Sequence, residues 1–134
     1  TLTGGFTKRL ILIAVGGAIG TLLRYGISGL IYRVSGPAFP WGTLGVNLIG
    51  SFVAGFLWEA FERAAVSPDI RTFIFIGILG GFTTFSSYNL ESFNLLRDGE
   101  IKLALSNVFV SNILGISLVF TGYAASRYLA CLIR

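Results

Sequence analysis

Apolar residues run along this chain in four long blocks, separated by short polar or proline- and glycine-bearing connectors. The blocks cover about Leu10 to Tyr32, Leu44 to Phe61, Phe73 to Leu95 and Leu103 to Tyr128. A helix that crosses a bilayer needs about 20 mainly apolar residues, so each block predicts one span. "SGPAFPWG" (Ser35 to Gly42) ends one helix and starts the next with its prolines and glycines. "SPD" (Ser67 to Asp69) reads as a helix start with Pro68 in the first turn. "RDGE" (Arg97 to Glu100) is a polar turn. Connectors this short make successive helices antiparallel neighbours. The predicted fold is an all-α membrane protein, one four-helix domain over residues 1–134. The first block follows Lys8 and Arg9 as a signal peptide would, but it is long, glycine-rich and interrupted by Arg24, and it reads as a retained helix.

Polar residues inside the blocks are not scattered. Thr43, Asn47 and Ser51 recur at every fourth position, which places them on one helix face. Asn107 and Ser111 do the same in the fourth block, with Asn112 beside them. Polar groups at membrane depth are costly and face a bundle interior or a water-filled path. Small residues spaced four apart, at Gly16 and Gly20, Ser51 and Gly55, Gly77 and Gly81, and Ser111 and Gly115, allow helices to approach closely, within one chain or between two. Four thin helices enclose little space, so an oligomer is expected.

The third block is the unusual one. Gly80 and Gly81 precede Thr83, Thr84, Ser86 and Ser87. Glycine costs a helix about 1 kcal/mol relative to alanine, and Ser and Thr offer the backbone other hydrogen bonds. A break near mid-membrane is expected. Non-helical backbone survives there only when buried in protein or lining a cavity, where its carbonyls can hold a cation and its N–H groups an anion. Phe82, Phe85 and Tyr88 recur every third residue through this stretch. A ring edge is electropositive, so rings turned edge-on to a narrow path stabilise a small anion without a full charge.

Composition narrows the class. Hydrophobic residues make up 54% and charged residues 12%, against roughly 25% charged in a soluble domain. Mean hydropathy is +0.80. The net charge of +4 comes from Lys and Arg set singly between apolar blocks, the pattern of membrane flanks. Lys8, Arg9, Arg63, Arg71, Arg127 and Arg134 fall on one side, and Arg33, Arg97 and Lys102 on the other. So weak a bias permits insertion in both orientations. There is no histidine, and Cys131 is the one cysteine. That excludes histidine acid–base chemistry, an internal disulfide and a zinc site. No nucleophile with its base and no clustered carboxylates point to an enzyme. Glu59, Glu62 and Glu91 fall toward helix ends, and the first block carries no acid before Arg24. Both features argue against a proton-coupled multidrug carrier of similar size. A membrane scaffold would explain the glycines but not three aligned polar stripes.

Three stretches, "GGAIGTLLRY" (Gly16 to Tyr25), "PWGTLGVNLIGSF" (Pro40 to Phe52) and "GILGGFTTFSSYNLES" (Gly77 to Ser92), together resemble the Fluc (CrcB-type) family of fluoride channels. The resemblance covers nearly the whole chain. It implies an antiparallel, dual-topology homodimer in the plasma (inner) membrane of a microorganism, with two pores that export fluoride passively. It implies that Asn47, Phe85, Tyr88, Thr43 and Ser111 line the pore, with the hydroxyls of Thr84 and Ser87 along the same path and Arg24 in a vestibule. It also implies a structural sodium ion at the dimer interface, held by the backbone carbonyls of Gly80 and Thr83 from both subunits. Two positions depart from the family pattern. Tyr88 stands where a phenylalanine is usual, which can add a hydrogen-bond donor or alter the edge-on contact. Asn107 stands where a tyrosine is frequent, which changes the hydrogen bonding of the fourth helix.

Overall fold

The computed structural model describes residues 2–134, and the side chain of Leu2 lies outside the description. Helix α1 runs over Leu2–Ser35 and α2 over Trp41–Arg63. The third span is assembled from α3 (Pro68–Arg71), a π-helical stretch (Thr72–Leu79), α4 (Gly80–Phe82) and α5 (Phe85–Arg97). Helix α6 covers Ile101–Ile133. No strand occurs among the described residues. Four helical segments are long and apolar enough to cross a membrane, and the chain is a multi-pass membrane protein.

The helices outrun the apolar blocks that announce them. α1 has 34 residues, or about 51 Å at 1.5 Å per residue, well beyond a hydrocarbon core of about 30 Å. Hydropathy marks where lipid begins, whereas the helix continues into the interface until a stop signal. Those signals are local. Gly36 adopts φ +78° and its N–H donates to the Tyr32 carbonyl at 2.9 Å, closing α1. Gly99 adopts φ +81° after α5, and Glu100 N–H donates to the Leu95 carbonyl at 2.8 Å. Glycine serves both turns because an L side chain is strained at positive φ. Ser67 caps α3 by accepting from Ile70 N–H at 3.3 Å, with Pro68 following it as the sequence predicts.

Helix contact is made backbone to backbone. A Cβ on Gly16 would lie 2.7 Å from the Phe73 carbonyl oxygen and 3.0 Å from Gly77 Cα. One on Gly20 would strike the Ile78 carbonyl, and one on Gly81 would lie 2.7 Å from the Gly17 carbonyl. So α1 lies directly against the π-helical stretch and α4. Helix α2 packs on α6 in the same manner, with Gly55 against the Val119 carbonyl and Gly122 against the Phe52 carbonyl. Of the two uses open to the small-residue spacings, Gly16, Gly20, Gly55, Gly77 and Gly81 serve packing inside one chain.

Charged groups tie the helices at one end. Arg63 Nε donates to both Glu59 carboxylate oxygens at 2.8 and 2.9 Å, and its Nη2 donates to Ser126 Oγ at 3.0 Å and to the Ser126 carbonyl at 3.2 Å. Glu59 and Ser126 are buried there, joining α2 to α6. Asp69 pairs with Lys8 at 2.9 Å and Arg9 at 3.5 Å, joining α3 to α1. Arg71 Nη2 donates to the Phe61 carbonyl at 2.6 Å, and its guanidinium sits 5.8 Å from the Phe61 ring centroid.

Replacing Gly55 tests the close packing. In Gly55→Val, the new side chain meets Val119 backbone that cannot swing aside, and overpacking costs about 1–3 kcal/mol. Thermal unfolding in detergent should show a lower Tm than wild type. An unchanged Tm would mean that α2 and α6 separate without cost.

Candidate functional site

Between α4 and α5 the chain leaves the helix for two residues. Thr83 has φ −87° and ψ 157°, and Thr84 has φ −147° and ψ 122°, both extended. In an unbroken helix the Thr84 N–H would donate to the Gly80 carbonyl. Here it donates to Asn47 Oδ1 at 2.8 Å, and Asn47 Nδ2 donates to the Thr84 carbonyl at 3.0 Å. One carboxamide thus replaces the helical acceptor of the Thr84 N–H and adds a donor at the Thr84 carbonyl, which as the N-cap carbonyl also receives the first bond of α5. Thr84 then starts α5, because its Oγ1 accepts from the Ser87 N–H at 3.3 Å and lies 3.1 Å from Ser87 Oγ. Thr83 closes the preceding segment, with its N–H and Oγ1 both donating to the Leu79 carbonyl at 3.0 and 2.9 Å.

Two cavities meet at this place. One of about 420 Å³ is bordered by Asn47, Ser51, Gly80, Thr83, Thr84 and Phe85, among others. Gly80 and the Phe85 ring face the outside of the subunit, the ring with 74% of its surface exposed. The other cavity, of about 280 Å³, is bordered by Arg24, Tyr32, Thr43, Thr84, Ser87 and Glu91, among others. Thr84 borders both. In the second cavity Thr43 Oγ1 donates to Glu91 Oε1 at 2.7 Å, and Tyr32 Oη donates to Glu91 Oε2 at 3.5 Å. Arg24 makes no ion pair among the described residues.

A third polar group lies between α5 and α6. Asn107 Nδ2 donates to Ser92 Oγ at 2.9 Å, Ser92 Oγ donates to the Tyr88 carbonyl at 2.8 Å, and Ser111 Oγ donates to Asn107 Oδ1 at 3.3 Å. Asn112 Nδ2 donates to Tyr88 Oη at 3.1 Å. The Tyr88 ring lies 5.8 Å from Phe85, tilted by 34°.

Of the residues singled out in the sequence, Asn47, Thr43, Thr84, Ser87, Arg24, Gly80, Thr83 and Phe85 border one or both cavities. Tyr88 and Ser111 border neither; Tyr88 touches the Phe85 ring, and Ser111 reaches only Asn107. The aromatics do not form one stripe. Phe82 is buried in the core on α4, and the extended pair separates it from Phe85 and Tyr88 on α5.

Sequence reasoning missed Glu91. Its place toward the end of a span hides its contact with Thr43. The signal was present, since Ser87 and Glu91 are four residues apart on one helix face. It also missed Tyr32, which no spacing rule connects to Thr43. Among the described residues no cluster of His, Cys, Asp or Glu could hold a metal ion, so any cation bound here would rest on backbone or hydroxyl oxygens.

Residues 11–123 match the family model of the CrcB-like protein, Camphor Resistance (CrcB). The chain belongs to the CrcB family. It is 45% identical over 126 residues to the "Fluoride-specific ion channel FluC" of Parabacteroides distasonis, covering 94% of this chain and 98% of that protein. It is 46% identical over 121 residues to the protein so named in Salinibacter ruber, covering 90% of this chain and 91% of that one. It is 47% identical over 116 residues to that of a Thermus thermophilus strain, covering 87% and 93%. These CrcB relatives are ion channels and not enzymes, as the expectation for this chain had it.

The Asn47 clamp has a direct test. Asn47→Ala leaves the Thr84 N–H without its partner, and an orphaned buried group costs about 1–3 kcal/mol. Tm should fall, and the Thr84 amide should exchange faster with deuterium. Unchanged exchange at Thr84 would show that the extended pair is held by something other than Asn47.

Proposed function

We propose that this protein is a fluoride-selective channel. It lets fluoride leave the cell passively across the plasma (inner) membrane of a microorganism, through two pores of an antiparallel, dual-topology homodimer. The observation that carries this reading is the pair of cavities that share Thr84, the residue Asn47 clamps, in a chain whose relatives are named fluoride-specific channels at 45–47% identity.

The chemistry of the lining supports it. Fluoride is small and holds its water tightly. A pore has to replace that water with several modest donors, yet bind weakly enough for the ion to leave. Asn47, Thr43, Thr84, Ser87 and Ser111 are neutral donors, and the rings of Phe85 and Tyr88 offer electropositive edges. Arg24, at the second cavity, raises the positive potential at a vestibule without entering the constriction.

The outer face of the third span supports a second subunit. Gly80, its carbonyl no longer receiving the Thr84 N–H, is exposed on the subunit surface beside the exposed Phe85 ring. Free carbonyls do not face lipid. A second copy, inverted across that face, covers both. The third helices then cross at their breaks, and the Gly80 and Thr83 carbonyls of the two copies fit a sodium ion. Bound there, sodium would supply positive charge that holds the crossing together. Its donors are oxygens on non-helical backbone, the type that coordinates sodium within membranes.

Passive efflux from liposomes tests the reading. Wild type should release fluoride and not chloride. Phe85→Ile, which loses an edge contact worth about 1 kcal/mol, should lower fluoride efflux roughly fivefold or more. Absence of fluoride efflux from inserted wild-type protein would overturn the channel. A monomeric mass for the active, detergent-solubilised protein would overturn the dimer.

A further inference from the structure

The outer face of α1 carries a groove of about 450 Å³, bordered by Tyr25, Gly26, Gly29, Leu30, Tyr32 and Arg33, among others. That volume lies within the range of small-molecule sites, about 300–1,000 Å³. Gly26, Gly29 and Arg33 follow one another at i, i+3 and i+7, so they share a helix face. A Cβ on Gly26 or Gly29 would meet nothing within 4 Å, whereas one on Gly16 or Gly20 of the same helix would strike the third span. The two glycines are therefore the open floor of the groove, and Tyr25 and Leu30, both exposed, flank it. Arg33 closes the polar end. It is exposed, in the last turn of α1, one residue beyond the apolar block, which places it at headgroup level. Its charge suits a helix C-terminus, yet among the described residues it makes no ion pair.

We propose that this groove binds one anionic phospholipid, with its phosphate on Arg33 and one acyl chain laid along Gly26 and Gly29. A planar guanidinium matches two phosphate oxygens with parallel hydrogen bonds. At 1.5 Å per residue, Gly26 lies about 10 Å from Arg33 along the helix, so the groove runs inward from headgroup depth as an acyl chain does. A lipid fits this face better than a second copy. An inverted copy lying here would bring the Lys8 and Arg9 end of its own α1 to the level of Arg33, like charge beside like. The groove also touches the ion path from behind. Tyr25, Ser28 and Tyr32 border both the groove and the cavity of Arg24 and Glu91. Tyr32 Oη lies 3.3 Å from Thr43 Oγ1 on the cavity side, so the Tyr32 ring is the partition, and the bound chain backs it. The lipid site stands whichever ion the channel carries.

Native mass spectrometry in mild detergent tests this, with phosphatidylglycerol and phosphatidylcholine of the same acyl chains as probes. Wild type should retain one phosphatidylglycerol per chain and hold it more tightly than phosphatidylcholine. Arg33→Gln should weaken phosphatidylglycerol roughly fivefold, the worth of one basic residue at an anionic surface. Gly29→Leu fills the groove. Leucine suits a helix better than glycine, and its Cβ meets no neighbour, so this variant should fold and lose the lipid. Lys102→Gln removes another exposed charge from the same flank and should leave binding at the wild-type level. Equal retention of both lipids by wild type, or equal losses in Lys102→Gln and Arg33→Gln, would overturn the phosphate site. Wild-type retention in Gly29→Leu would overturn the groove as the seat of the acyl chain. A dimer that falls apart in Gly29→Leu would put a second copy on this face and overturn the lipid.

Discussion

The structure depends on one obligation. In lipid, every backbone N–H and carbonyl has to find a partner inside the protein. The extended pair Thr83–Thr84 takes a peptide unit out of the helical ladder, and Asn47 is what makes that tolerable. A carboxamide carries one acceptor and two donors, so it mimics the peptide it replaces. The other local features follow. Thr83 turns its hydroxyl back to Leu79, Thr84 becomes the cap of α5, and the Gly80 carbonyl loses the Thr84 N–H to Asn47. The glycine contacts of α1 with the π-helical stretch and α4 then hold the broken segment in place without side chains between.

How far the chain could be read from its letters depends on the range of the interaction. The four spans were legible because lipid imposes a length and a composition. The cap at Ser67 and Pro68 was legible because it is made within a few residues. The stripe of Thr43, Asn47 and Ser51 was legible as a stripe, but its division of labour was not. Ser51 turns back to the Asn47 carbonyl at 2.7 Å, Asn47 goes to Thr84, and Thr43 goes to Glu91. Periodicity says which residues share a face and does not say what stands opposite. Helix ends were underestimated because hydropathy stops at the lipid boundary and the backbone does not.

Aromatic periodicity misled for a related reason. Phe82, Phe85 and Tyr88 share a face only if one helix carries all three. Two extended residues reset the rotation, so Phe82 enters the core and Phe85 is left outside. Tyr88 and Asn107, the two positions that the resemblance marks as departures, meet in one α5–α6 network with Ser92, Ser111 and Asn112. Neither is legible alone, because the bonds from Asn107 to Ser92 and from Asn112 to Tyr88 cross from one helix to the other.

Among the described residues, the bonds by which Asp69 holds Lys8 and Arg9, and Arg63 reaches Ser126, lie at one end of the bundle. The opposite end relies on Tyr32, Thr43 and Glu91. A single subunit is therefore mechanically lopsided, riveted at one membrane surface and looser at the other. In the antiparallel pair proposed here, each surface would receive one riveted end and one loose end. The lopsidedness cancels. Such an assembly has no front or back, and a current through it would not rectify.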